Sequence, residues 1–395
     1  MRLVNISLIF VWLLHMTSGL VSGLGSFQNL SMSYTFGQQI TFHAEVEPGE
    51  GIQTSYLFLE SAGEPTQVIP IQVNPDGAIN VDLDIQQHSL RPFAVTHYWY
   101  QIAYQSGDDT ISPTMSFVYE DNRYEWQTLA DSIFTIHWVK GDIRFGQQAL
   151  NKVRSGLTST RGLIPAAIPT PLHIYIYPDR TSLQSALDLI DLSWVAGHSS
   201  PDLGVILVSV PDDSSSAPEM ERQIPHELMH LLLYQASGSA YRSLPAWLVE
   251  GLASYAEEYP NPEYSQVLAA AFETGEMLTM ESLCSDFPSE NGSAFLAYAE
   301  SHDFVRYLVD AHGFDFINQL VRQYEKGLGC SQGVEAVFGK PLADLEKEWL
   351  RYRFQYSQRT GNPADSQLLV YLTLAVMVVA IPLVTTALQL KGGKQ

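Results

Sequence analysis

A change of hydrophobic period near residue 121 constrains this chain more than any other feature. Upstream of it, short runs alternate apolar and polar residues: "QQITFHAEVE", "TSYLFLESA", "AINVDLDI" and "THYWYQIAYQS". Turn-forming stretches such as "EPGEG", "NPDG" and "SGDD" separate them. Period-two runs at this spacing cannot be helices and predict an all-β, immunoglobulin/fibronectin-like antiparallel sandwich over residues 25–120. Its aromatic residues are expected to be core. The acidic residues of "NPDGAINVDLD" lack the glycine spacing and closing glutamate of a calcium loop, so a hairpin turn is the reading there. No catalytic constellation occurs in this part.

After "YEDNRYEW" strands and helices alternate. "FTIHWVKG", "TPLHIYIYP" and "LGVILVSVP" are expected as strands, "FGQQALNKVRSGL" and "RTSLQSALDLI" as helices. Helical spacing then dominates, with helices predicted at 220–236, 245–258, 293–311, 314–326 and 341–358. A mixed sheet followed by a helical half makes residues 121–358 an α+β domain. At 395 residues the chain has room for both domains.

The two ends predict the location. Residues 1–24 open with Arg2, continue through "ISLIFVWLL" and soften into "TSGLVSGLG", the pattern of a secretory signal peptide, with a permanent N-terminal anchor as the alternative. Near the other end, "LLVYLTLAVMVVAIPLVTTAL" carries no charge over residues 368–388. At about 1.5 Å per residue that run crosses about 30 Å of hydrocarbon. A transmembrane helix is therefore expected at 368–390, after a linker at 359–367. Lys391 and Lys394 put the tail 391–395 in the cytoplasm. Everything between is expected outside, on a single-pass protein of the cell membrane.

Composition adds two statements. A net charge of −22 repels phosphate backbones and argues against nucleic acid as a partner. The two cysteines, Cys284 and Cys330, both fall in the exported part, where one disulfide is the expectation and two free thiols the alternative. The sequons at Asn29 and Asn291 matter only in a host that glycosylates secreted chains.

The chemistry concentrates in "RQIPHELMHLLLYQ", residues 222–235. Residues four apart on a helix share a face, so His226 and His230 can offer two imidazoles to one point about 2 Å from each. Glu227 is one position round; it reaches a water there rather than a metal ion. Two histidines on a buried helix are also common without a metal, so a third ligand decides. "LPAWLVEGLASYAEEY" supplies a candidate in Glu250, 20 residues beyond His230 (250 − 230).

H-E-x-x-H followed after this interval by a glutamate resembles the gluzincin, thermolysin-like metallopeptidases. "WLVEGLASY" is similar to the W-L-x-E-G-x-A-x-Y form of the peptidase MA-like families of bacterial envelope proteins. The similarity extends over residues 121–358 and includes "WVAGHSSPDLGVILVSVP", "YAESHDFVRYLVDAHG" and "PLADLEKEWLRY". It implies a gluzincin-type fold holding one Zn2+, with His226, His230 and Glu250 as metal ligands and Glu227 as catalytic base. Two neutral imidazoles and one carboxylate leave about one unit of positive charge at such a site, which favours ionisation of a water there.

Two positions depart from the family pattern. The aspartate that orients the first histidine, four residues after the glutamate ligand, is here Ser254. Pro225 stands directly before His226, where its missing N–H starts or bends a helix. An oxyanion donor is sought in Tyr298, with His302 and Tyr255 behind it and His198 expected as a loop residue. "GVILVSV" is expected as the edge strand on which an extended peptide lies.

The combined expectation is a membrane-anchored zinc metallopeptidase acting on a peptide or protein substrate. Endopeptidase action is favoured, because the G-x-M-E-N signature of related aminopeptidases is absent. The β-sandwich could bind a cell-surface partner. Rival readings are an inactive peptidase-like binding or adhesion module, a zinc amidohydrolase acting on a non-peptide amide, and a structural zinc.

Overall fold

A computed structural model describes residues 26–47, 51–187 and 196–355. The expected signal peptide, linker, transmembrane helix and cytoplasmic tail fall outside these residues. Among the described residues no helix is long and apolar enough to cross a membrane. The chain divides into two compact units, residues 1–124 and 125–395, four residues beyond the expected boundary.

The first unit is all β. Its strands are β1 (Phe27–Thr35), β2 (Gln39–Val46), β3 (Ile52–Ser61), β4 (Gln67–Pro70), β5 (Ala78–Asp84), β6 (Val95–Tyr104), β7 (Asp109–Ile111) and β8 (Met115–Val118). One sheet runs β1-β2-β5 and the other β4-β3-β6-β7, with β8 also on β6; every pairing is antiparallel. The alternation read from the sequence is the alternation of burial: Ile40, Phe42, Ala44 and Val46 of β2 point in, and Tyr98, Tyr100, Ile102 and Tyr104 of β6 meet them. Phe42 packs edge-on to Tyr98 across the two sheets at 5.0 Å. Side chains of aromatic size suit this buried, pleated surface.

The second unit begins with β9 (Gln127–Ala130), β10 (Phe134–Trp138), α1 (Ile143–Leu163), β11 (Leu172–Tyr177), α2 (Arg180–Leu187), β12 (Gly197–Ser200) and β13 (Val205–Ser209). Helices follow: α3 (Ser216–Ser237), α4 (Ala246–Tyr255), α5 (Tyr264–Thr274), α6 (Asn291–His312), α7 (Asp315–Glu325), α8 (Cys330–Phe338) and α9 (Leu342–Leu350). The sheet order is β12-β13-β11-β10-β9. Strands β10, β11 and β13 are parallel, while β9 and β12 close the edges antiparallel. This is the mixed sheet plus helical half that the sequence predicts.

Three expectations are corrected. "GVILVSV" is not the edge: β13 lies between β11 and β12 with all five residues buried, and an unbroken apolar run is what an interior parallel strand requires. The edge is β12, "GHSS", so His198 sits on a strand rather than in a loop. Helices α5 and α8 were not foreseen, and the last predicted helix stops at Leu350 before a single π-turn, Arg351–Gln355. The two cysteines are bridged, Cys284 to Cys330 on α8.

Candidate metal centre

Helix α3 buries Ile224, Leu228, Leu231 and Leu232 in the core and packs on α1 where Gly156 meets Pro225 and Leu228. That anchoring turns the stripe Glu219, Gln223, His226, Glu227 and His230 towards a cavity of about 750 Å³. Helix α4 supplies the opposing carboxylate. Gly251 lets α4 approach α6 closely; a Cβ there would stand 2.6 Å from the Ser301 carbonyl oxygen. With Trp247 and Leu248 wholly buried beside it, the preceding residue, Glu250, faces α3.

Glu250 Oε2 lies 3.6 Å from Nε2 of His226 and 3.6 Å from Nε2 of His230. The ligand atoms of the three residues all fall within 4.8 Å of one another. Ligands at zinc distances of about 2.0–2.1 Å in a tetrahedron stand about 3.3–3.4 Å apart, so the two 3.6 Å separations are close to the edges of such a site. Glu250 Oε2 is buried and makes no hydrogen bond within the protein. A buried carboxylate oxygen without a partner is costly, and a cation at this point removes the cost. The residues therefore fit a metal ion, and three protein ligands leave one position open.

Residues 147–354 match the family model described as the Peptidase MA superfamily. This chain belongs to that superfamily. No curated protein matches it. Among solved structures it is similar to an aminopeptidase N family protein from Idiomarina loihiensis, at 9% identity over 80% of this chain and 74% of that one, with a TM-score of 0.40. It is also similar to a purple acid phosphatase from yellow lupin (Lupinus luteus) seeds, at 9% identity over 52% of this chain and 40% of that one, with a TM-score of 0.22.

Around His226, His230 and Glu250, other side chains hold the three in place. Glu257 Oε1 accepts a hydrogen bond from His226 Nδ1 at 3.0 Å. The Tyr241 hydroxyl is 3.2 Å from His230 Nδ1, and the Tyr298 hydroxyl bonds the Glu250 carboxylate. Partners of this kind orient ring and carboxylate ligands. The role looked for at Ser254 thus falls to Glu257, seven residues after Glu250 and past the end of α4. Burial opposes a charge on His226, yet carboxylates at both ring nitrogens, Glu250 and Glu257, raise its pKa well above the usual value. Burial alone would raise Glu250, but the imidazoles of His230 and His226 outweigh it and hold the carboxylate below its ordinary range. Burial lowers His230 to about 4. The ionised carboxylate of Glu250 and the neutral imidazole of His230 are the forms that bind a cation, and His226 gives up its proton to join them.

Glu227 is 5% exposed and bonded by the Ser199 side chain of β12. Burial is the main cause that pushes its carboxyl up to about 7. It presses on Gly197, where a Cβ would stand 3.0 Å from the Glu227 carboxyl carbon. Tyr298 and His198 both line the cavity; His302 and Tyr255 do not. The ring of His302 lies against Tyr264 and that of Tyr255 against Phe314. Glu257, Tyr241, Gln223 and Arg222 join the cavity wall unforeseen. Of these only Glu257 left a trace in the sequence, in the acidic pair of "YAEEY".

Proposed function

We propose that this chain is an extracytoplasmic, membrane-anchored zinc metallopeptidase. His226, His230 and Glu250 hold the ion, and Glu227 is the general base. When bound, zinc supplies a Lewis-acid centre that polarises the substrate carbonyl and favours ionisation of a water. Glu227, shielded from solvent and kept in place by Ser199 and Gly197, takes a proton from the attacking water and returns it to the leaving amine. Tyr298, which lines the cavity and bonds Glu250, is proposed to donate to the developing oxyanion once its hydroxyl leaves Glu250. Among the described residues β12 is the edge strand of the sheet, beside Glu227, and an extended peptide is proposed to lie along it.

One observation carries the proposal: a buried, unpartnered Glu250 oxygen equidistant from two imidazoles. Endopeptidase action remains the favoured mode. The strand order β1-β2-β5 facing β4-β3-β6-β7 supports an immunoglobulin/fibronectin-type sandwich, for which a cell-surface partner is proposed. Zinc content of the purified full chain and its action on an unbiased peptide library, with and without chelator, test the reading. One zinc per chain is expected, with chelator-sensitive cleavage. Glu227→Gln is expected to keep the zinc and lose at least ~100-fold in rate. Absence of zinc, or cleavage that survives Glu227→Gln, would overturn it.

A further inference from the structure

One turn before His226 on α3, the same cavity wall carries a cation, Arg222. A guanidinium has five N–H donors, and here NH1 meets Glu219 Oε1 at 2.9 Å. Its Nε is buried and has no hydrogen-bond partner. The Arg222 guanidinium lies over the ring of Tyr259, its Cζ 5.6 Å from the ring centre. The side chain is 19% exposed, so it is presented by the wall rather than free in solvent.

Glu219 does not exist only to neutralise this arginine. Its other oxygen accepts from Gln223 Nε2 at 2.8 Å, and Gln223 is clamped on the backbone of Ser209 in β13 through both its amide atoms, at 3.0 and 2.8 Å. Glu219 is thus part of the wall, and it holds Arg222 NH1 while the buried Nε keeps no partner. Arg180 and Asn261 line the cavity as well. Arg180 and Arg222 are the two arginines of a lining that also holds Glu219, Glu227, Glu250, Glu257 and Glu263.

We infer that Arg222, in a cavity wall that also includes Arg180, forms a carboxylate subsite next to the metal centre, selecting substrates with an acidic group close to the scissile bond. The inference rests on the metal-centre reading above. Four residues of helix rise about 6 Å, and one extended residue spans about 3.3–3.6 Å. The carboxylate therefore belongs to the first or second residue from the bond cleaved, as an aspartate or glutamate side chain or as the chain terminus. A guanidinium fork suits either source bidentately.

The test uses the zinc-loaded full chain and peptide hydroxamates, whose zinc-binding group places the neighbouring residue beside Arg222. Three probes carry glutamate with an amidated end, glutamine with a free carboxylate end, and glutamine with an amidated end. Calorimetry is expected to give at least about 10-fold tighter binding for one of the first two than for the third; which one wins identifies the source of the carboxylate. Arg222→Gln is expected to bring that ratio to within about twofold, and Arg222→Lys to keep part of it, with thermal melts confirming that both variants fold. Glu219→Gln, which releases the guanidinium from its partner, is expected to raise the ratio. A ratio near one in the parent chain, a ratio unchanged in Arg222→Gln, or no binding of any probe overturns the inference. A full ratio without cleavage of any library peptide keeps the subsite and removes the peptidase reading.

Discussion

The backbone N–H of Glu258 donates to the carbonyl oxygen of Glu221 at 2.9 Å. That oxygen lies four residues before Pro225 and is the acceptor a proline leaves without an intrahelical donor. Helix α3 continues through Pro225 without a break, and the acceptor it frees docks the turn after α4. The adjacent Glu257 is thereby set against His226 Nδ1. The proline that reads as a defect in the helix joins the two halves of the site.

Pro225→Ala restores an N–H that competes for the Glu221 carbonyl. The helix itself gains, since proline in a helix interior is unfavourable by about 3 kcal/mol relative to alanine. The docked turn loses its anchor. The expected result is an unchanged or raised melting temperature with zinc binding weakened several-fold, measured by competition with a chelator. Zinc affinity equal to that of the parent chain would show that the turn is held by other contacts.

Glu257→Ala removes the acceptor for His226 Nδ1 and frees the ring to turn. Loss of such a partner typically costs about 10–100-fold in metal affinity, and that range is expected here. Tyr241→Phe, which removes the hydroxyl beside His230, is expected to give a smaller loss in the same titration, because it deletes a neutral partner rather than a charged one.

How much of this was legible in the sequence depends on whether a feature is local. The strands of the first unit carry their burial in their alternation, and His226 and His230 share a face because any helix makes residues four apart do so. Strand β12 carries no such signal. "GHSS" is a strand only because Gly197 through Ser200 pair with Val208 through Val205. Glu257 and Tyr241 reach the histidines from separate turns of chain, a relationship no spacing rule describes. At Pro225 the local rule describes the lost hydrogen bond and is blind to Glu258, whose N–H takes its place.

Gly197→Ala tests whether β12 positions the proposed base. An added Cβ would stand 3.0 and 3.1 Å from the carboxyl and γ carbons of Glu227, so one of the two must move. Displacements of about 1 Å near a reacting group can lower rates about 100-fold. A loss of about 10- to 100-fold in kcat/KM is expected with zinc content unchanged, since Gly197 touches no ligand atom. Full activity in Gly197→Ala would mean that Glu227 tolerates the shift and is not held by this strand.

Glu300, like Glu227, makes stability fall as pH rises through neutrality. It is wholly buried on α6; its Oε1 accepts the N–H of Leu278 at 2.9 Å and its Oε2 has no partner. Glu346 accepts the N–H of Met280, two residues further along the same loop. Burial, opposed by the Leu278 N–H and reinforced by the charge of Glu346, pushes Glu300 from 4.5 up to about 8. The folded chain then keeps a proton that the unfolded chain releases above about 4.5, so between about pH 4.5 and 8 unfolding releases a proton. The contribution of Glu300 is highest at the acid end of that window and declines towards the alkaline end. The decline attributable to this one group is on the order of a few kcal/mol at most. Glu300→Gln keeps an acceptor for Leu278 and cannot ionise, so urea unfolding of the variant is expected to lose most of this slope. Equal slopes in parent and variant would place the titrating group elsewhere.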